Sequence, residues 1–197
     1  MALIRWPQPL VTDPDPFYHK GMEERRVKFP LGTLSQIEAE TFGQPGNRTF
    51  RLVLQSGQAR SYVWLEKEQL FQLGVHLKEA VESFSAAQRA RASQPADPAW
   101  SGDEVAIEFK ARQMYLNHDS GVNAFFIQAF EDDPGESEGE PSSVSFWITI
   151  QQAATLAADA LRICASGRPP CFLCGLPINP DGHVCPRANG HAVLESG

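Results

Sequence analysis

The sequence predicts an α+β protein: two antiparallel-sheet-plus-helix units in tandem, each βββα, followed by a small C-terminal zinc ribbon. Three observations carry this. Apolar residues alternate in short runs, as in half-buried strands; each series of runs leads into a stretch with helical spacing; and three of the four cysteines crowd into residues 171–185. With 197 residues, 42% of them hydrophobic, the chain is long enough for one substantial core plus an appendage.

Residues 1–26 form a Pro-rich lead containing Pro7, Pro9, Pro14 and Pro16. The first unit spans 27–98. It starts with a weak strand near Leu34 to Thr41, and Gly43-Gln44-Pro45-Gly46-Asn47 supplies a turn. In the next run Phe50, Leu52 and Leu54 alternate onto one face. Ser56-Gly57-Gln58 then connects tightly to Arg60-Ser61-Tyr62-Val63-Trp64-Leu65, which makes a hairpin. Leu70, Leu73, Leu77, Ala80, Val81 and Phe84 recur at helical spacing, predicting an amphipathic helix from Lys67 to Phe84. Glu66-Lys67-Glu68 opens that helix with carboxylates near the positive end of its dipole. Ser85 to Pro98 is its tail and a linker.

The second unit spans 99–167. Val105, Ile107 and Phe109 alternate in a strand that Met114 to Leu116 extends after a bend, and Asn117-His118-Asp119-Ser120-Gly121 has turn chemistry. A strand over Asn123 to Phe130, an acidic loop at 131–142 and a strand with Val144, Phe146, Ile148 and Ile150 on one face follow. A helix over Gln151 to Ser166 stops at Gly167 ahead of Pro169-Pro170, and Thr149 and Gln152 have the spacing of a capping box. Setting Leu65 to Leu73 over Ile148 to Leu156 matches Gln69 with Gln152 and Leu73 with Leu156, which suggests an internal duplication.

Charge narrows the function classes. The chain carries a net −7, divided as +1 over residues 1–98 and −8 over 99–197. Glu131 to Glu140 alone holds six acids. Such a surface repels phosphate backbones, which proteins hold with Lys and Arg. No apolar run reaches the roughly 18 to 20 residues of a membrane-spanning helix, and Met1-Ala2-Leu3-Ile4-Arg5-Trp6-Pro7 has no leader pattern. The expected location is cytoplasmic, where clustered cysteines favour metal over disulfides.

The tail, 168–197, concentrates the chemistry. Cys171-Phe172-Leu173-Cys174-Gly175 has the form of a knuckle that presents two thiolates to one ion, and Cys185 adds a third. A second knuckle would need a cysteine at position 188, which is Ala188. His183, two residues before Cys185 and on the same side of an extended strand, is the expected fourth ligand. His191 is the alternative to His183, and Cys164, at the end of a helix, comes third. Four protein ligands leave no open position, so the expected zinc is structural.

The run Gly167-Arg168-Pro169-Pro170-Cys171, Cys174-Gly175-Leu176-Pro177, Asp181-Gly182-His183-Val184-Cys185-Pro186-Arg187 and Asn189-Gly190, with Gly43-Gln44-Pro45-Gly46 and Leu65-Glu66-Lys67-Glu68-Gln69, resembles an uncharacterised bacterial family of conserved hypothetical proteins. The resemblance covers nearly the whole chain and implies no established activity. It supports His183 over His191 as ligand, since an aromatic residue often stands at the latter position in that family.

No phosphate-cradling glycine loop, nucleophile elbow or dinucleotide fingerprint occurs. The leading expectation is therefore a non-enzymatic binding or adaptor module with a protein partner. The first alternative is nucleic-acid binding through sheet aromatics and the ribbon, which requires Arg48, Arg51, Arg60, Lys110 and Arg112 to gather with exposed aromatics on one face. The second is an enzyme acting on a small phosphorylated or sugar-like molecule.

Overall fold

A computed structural model of the chain describes residues 2–4, 27–44, 46–95, 97–131 and 142–166, together with Cys171, Phe172, Leu173, Ile178, Cys185 and Arg187. In chain order the elements are β1 (Ala2–Ile4), β2 (Phe29–Thr33), β3 (Gln36–Phe42), β4 (Thr49–Ser56), β5 (Ala59–Leu65), α1 (Lys67–Ser83), α2 (Ala86–Ala90), β6 (Val105–Lys110), β7 (Gln113–Asp119), β8 (Ala124–Phe130), β9 (Ser143–Thr149) and α3 (Ile150–Ala165). Both long helices lie within a residue of their expected bounds. The acidic loop falls largely outside the described residues.

The strands form a four-stranded sheet, β3-β4-β5-β6, and a five-stranded sheet, β1-β7-β8-β9-β2. This corrects the expectation of two antiparallel sheets, each made by its own half of the chain. Apart from β1, residues 27–98 and 99–167 supply four strands each, and the first of each four joins the sheet of the other half in parallel: β2 pairs with β9 and β6 with β5. Pro30 and Gly32 hid β2 from the sequence pattern. An edge position tolerates such a proline because one side of the strand needs no donor.

The exchange works because β2 bends into β3, and β6 into β7, without leaving the hydrogen-bonded frame. At the first corner Leu34 N donates to Trp147 O of β9 (3.0 Å), and the next amide, Ser35 N, donates to Gln55 O of β4 (2.9 Å). At the second, Ala111 N donates to Trp64 O of β5 (2.9 Å) and Arg112 N to Phe130 O of β8 (2.8 Å). Successive amides thus serve opposite sheets at both corners.

A glutamine at the start of each long helix grips the corner of the other half. Gln69 Nε2 donates to Ala111 O (3.1 Å) while its Oε1 accepts from Glu66 N (2.7 Å). Gln152 Nε2 donates to Leu34 O (3.1 Å) while its Oε1 accepts from Thr149 N (2.9 Å). The same frame therefore occurs twice in the chain.

One hydrophobic cluster fills the interior, with Leu52, Leu54, Leu70, Leu73, Leu77, Phe125, Phe146 and Ile148 essentially inaccessible. Full burial of each such side chain stabilises the fold by about 1.5–3 kcal/mol. The helices cross closely at Gly74, where a Cβ would lie 3.1 Å from Ala160 Cβ and 3.2 Å from Leu161 Cγ. No helix among the described residues is long and apolar enough to cross a membrane.

The segment between the halves is pinned to the body. Asn123 Nδ2 donates to Gln88 O (3.0 Å) and Arg91 O (2.9 Å), and Gln94 N to Val122 O (2.7 Å). Trp147 Nε1 donates to Asp97 Oδ2 (2.8 Å), and Trp100 N to Ser56 Oγ (2.9 Å). Gly32, at φ +64°, lets this strap approach: a Cβ there would sit 1.7 Å from Pro98 O, so no other residue fits.

Gln69→Ala leaves the buried Ala111 carbonyl and Glu66 amide without their partner, so unfolding in urea should show a loss of about 1–3 kcal/mol. Stability unchanged from wild type would show that the corner does not depend on the glutamine.

Candidate functional site

In the tail, Cys171 and Cys185 are both buried and their Sγ atoms lie 3.8 Å apart. That is far beyond the roughly 2.05 Å of a disulfide, so no disulfide joins them. Arg187 Nη1 donates to Leu173 O (2.8 Å), joining the segment after Cys185 to the turn after Cys171. Cys174, His183 and His191 lie outside the described residues. Among the described residues no three His, Cys, Asp or Glu side chains stand together as a metal group. Cys164 is buried on α3, and its thiol donates to Lys67 O at 3.7 Å. Burial pushes that thiol up from its ordinary pKa.

A second concentration of chemistry lies on the outer face of β3 to β6. Alternation turns Leu52, Leu54, Val63, Leu65, Ile107 and Phe109 inward, so Glu40, Phe42, Arg51, Arg60, Tyr62, Trp64, Glu108 and Lys110 project outward together. Arg51 is the hub. Its Nε and Nη2 donate to Glu40 Oε2 (2.8 and 2.7 Å), and its guanidinium carbon lies 4.7, 4.5 and 5.2 Å from the ring centres of Phe42, Tyr62 and Trp64. Arg60 sits 5.6 Å over the Tyr62 ring. Trp64 Nε1 donates to Glu108 Oε1 (2.7 Å), and Lys110 pairs with Glu66 (2.5 Å). Contacts of a cation with an aromatic face contribute about 0.5–1 kcal/mol each when exposed and more when desolvated.

Of the cations expected to gather, Arg51, Arg60 and Lys110 do share this face with aromatics. Carboxylates are interleaved among them, which the sequence pattern did not anticipate because the pairing depends on strand register. The equivalent face of the five-stranded sheet differs: Gln113, Tyr115, Gln128, Ser143, Ser145 and Trp147 are uncharged and buried. Phe125 belongs to the core, and Phe126 packs on Trp147 with ring centres 4.9 Å apart.

His118 and Asp119 do not act as a pair. The His118 ring packs 4.4 Å from Phe84 and 5.1 Å from Phe125, and its buried Nε2 has no hydrogen-bond partner. Desolvation lowers its pKa, outweighing a hydrogen bond with Asn123 and the charge of Asp119, which raise it. Asp119 Oδ1 accepts from Gly121 N (2.7 Å) and Val122 N (3.3 Å), holding the turn into β8.

These features define an α+β protein of two strand-exchanged sheets around a helix pair, with one open charged and aromatic sheet face and a cysteine-bearing tail. Residues 29–185 match a family model described as a protein of unknown function (DUF3090), and the chain belongs to that family. No curated protein and no solved structure matches it.

The lowered pKa of His118 has a measurable consequence. Folding keeps the ring neutral, so its contribution is complete above the unfolded value near about 6.5 and is lost as pH falls toward the lower folded value. His118→Phe removes this dependence. Its melting temperature should fall less than that of wild type between pH 7 and pH 5, and parallel curves would refute the assignment.

Proposed function

We propose that this chain is a cytoplasmic, non-enzymatic binding module whose C-terminal tail is held by a structural zinc ion. The observation that carries the metal reading is the 3.8 Å between Cys171 and Cys185 Sγ. Two thiolates about 2.3 Å from one tetrahedral ion are held about 3.8 Å apart. Cys171, Cys174 and Cys185 would hold the ion with His183, His191 being the alternative fourth ligand. A reducing compartment keeps these thiols available. Bound metal supplies folding free energy to a segment with few large apolar side chains. The chain purified without chelators should contain one zinc by elemental analysis, with Cys171→Ser and Cys185→Ser losing most of it. A wild-type chain that carries none and takes up none on titration overturns the reading.

The binding face in this proposal is the Arg51 surface, and its partner is another protein. Tyr, Trp and Arg are the residues that dominate protein interface energetics. The mixture of Glu40 and Glu108 with Arg51, Arg60 and Lys110 suits a surface of alternating charge better than a phosphate backbone. The double variant Arg60→Glu/Tyr62→Ala should fail to retain, in a side-by-side affinity purification, a stoichiometric protein that wild type retains, with its melting temperature unchanged. Equal retention excludes this face.

A nucleic-acid reading is favoured by one observation, the gathering of Arg51, Arg60 and Lys110 beside Phe42, Tyr62 and Trp64. Titration of a labelled single-stranded oligonucleotide decides between them. Binding that weakens steeply with salt would install this second reading, and the protein reading expects none.

A further inference from the structure

We infer that Arg187 is a positioning residue for the zinc tail, tying the arm that carries Cys185 to the turn between Cys171 and Cys174. This rests on the zinc reading above and extends it to a side chain that is not a ligand. Arg187 Nη1 donates to Leu173 O at 2.8 Å, closing a connection across 14 residues of chain. Its two ends lie next to the cysteine pair: Arg187 is two residues beyond Cys185, and Leu173 two beyond Cys171. The bond therefore fixes the relative placement of the two thiols that stand 3.8 Å apart.

Two physical effects make an arginine effective here. The Leu173 carbonyl belongs to the same peptide group as the Cys174 amide, so a charged donor on the oxygen polarises that amide and strengthens it as a donor. A zinc ion held by three thiolates and one neutral imidazole carries one net negative charge, and the guanidinium's positive charge offsets it. Groups that orient metal ligands in this way are typically worth about 10- to 100-fold in metal affinity.

The test uses the full-length, zinc-loaded chain in competition with a chromophoric zinc chelator, alongside the visible absorption of the cobalt-substituted protein. Arg187→Gln should release zinc at chelator concentrations about tenfold lower than wild type requires, and should shift the cobalt bands while the main thermal transition of the body stays in place. Arg187→Lys, which keeps the charge and a donor, should recover most of the affinity. Equal competition by wild type and Arg187→Gln overturns this inference and leaves the zinc reading intact. A wild-type chain that binds neither zinc nor cobalt overturns the zinc reading, and this inference with it.

Discussion

Two side-chain amides, those of Gln69 and Gln152, set the geometry on which the remaining structure depends. Where a strand turns from one sheet into another, its amides pass from one sheet to the other, but a buried carbonyl at the corner still needs a donor. The helix that starts beside each corner supplies it, because the glutamine in its first turn reaches Ala111 or Leu34 while its own oxygen closes the helix end. A single residue type thus fixes where a helix begins, where a strand bends and how the two halves sit together. With both corners held, the inner faces of the sheets close on the helix pair and bury one continuous core.

Much of this frame was legible in the sequence, and the limits have physical causes. Helical periodicity located α1 and α3, and alternation located β4, β6 and β9, because Phe50, Leu52 and Leu54, then Val105, Ile107 and Phe109, then Val144, Phe146 and Ile148 turn to the core. The match of Gln69 with Gln152 was visible as an identity in a nine-residue comparison, but nothing in it said that each amide serves the opposite half. Parallel pairing of β2 with β9 and of β6 with β5 was not legible, since periodicity describes the face a residue takes and not the strand it neighbours. The Arg51 cluster is of the same kind. Glu40, Phe42, Arg51, Tyr62 and Trp64 come from three strands, and register alone brings them into contact. Sequence spacing grouped Cys171 with Cys185; the link from Arg187 to Leu173 had no sequence signal.

The repeated frame carries unlike surfaces. Arg51 lies opposite Trp64, as Phe126 lies opposite Trp147, so the same cross-strand position holds a cation in one sheet and an aromatic ring in the other. Across the first pair the face is charged and open, and across the second it is uncharged and buried. The divergence outside the shared interior leaves the four-stranded sheet with a charged outer face and the five-stranded sheet with an uncharged one.

The exchange of β2 and β6 also constrains how the chain reaches its final form. Lys28, just ahead of β2, donates to Ser143 Oγ at the start of β9 across 115 residues, so the five-stranded sheet cannot close until almost the whole body has been synthesised. Loop-closure entropy is incurred before those distant pairings can repay it, and topologies of this kind fold slowly compared with locally connected ones. Neither half of the chain can mature ahead of the other. A nascent chain halted after α1 would hold β5 without its parallel neighbour and β2 without any sheet to join, leaving two unpaired strand edges during translation.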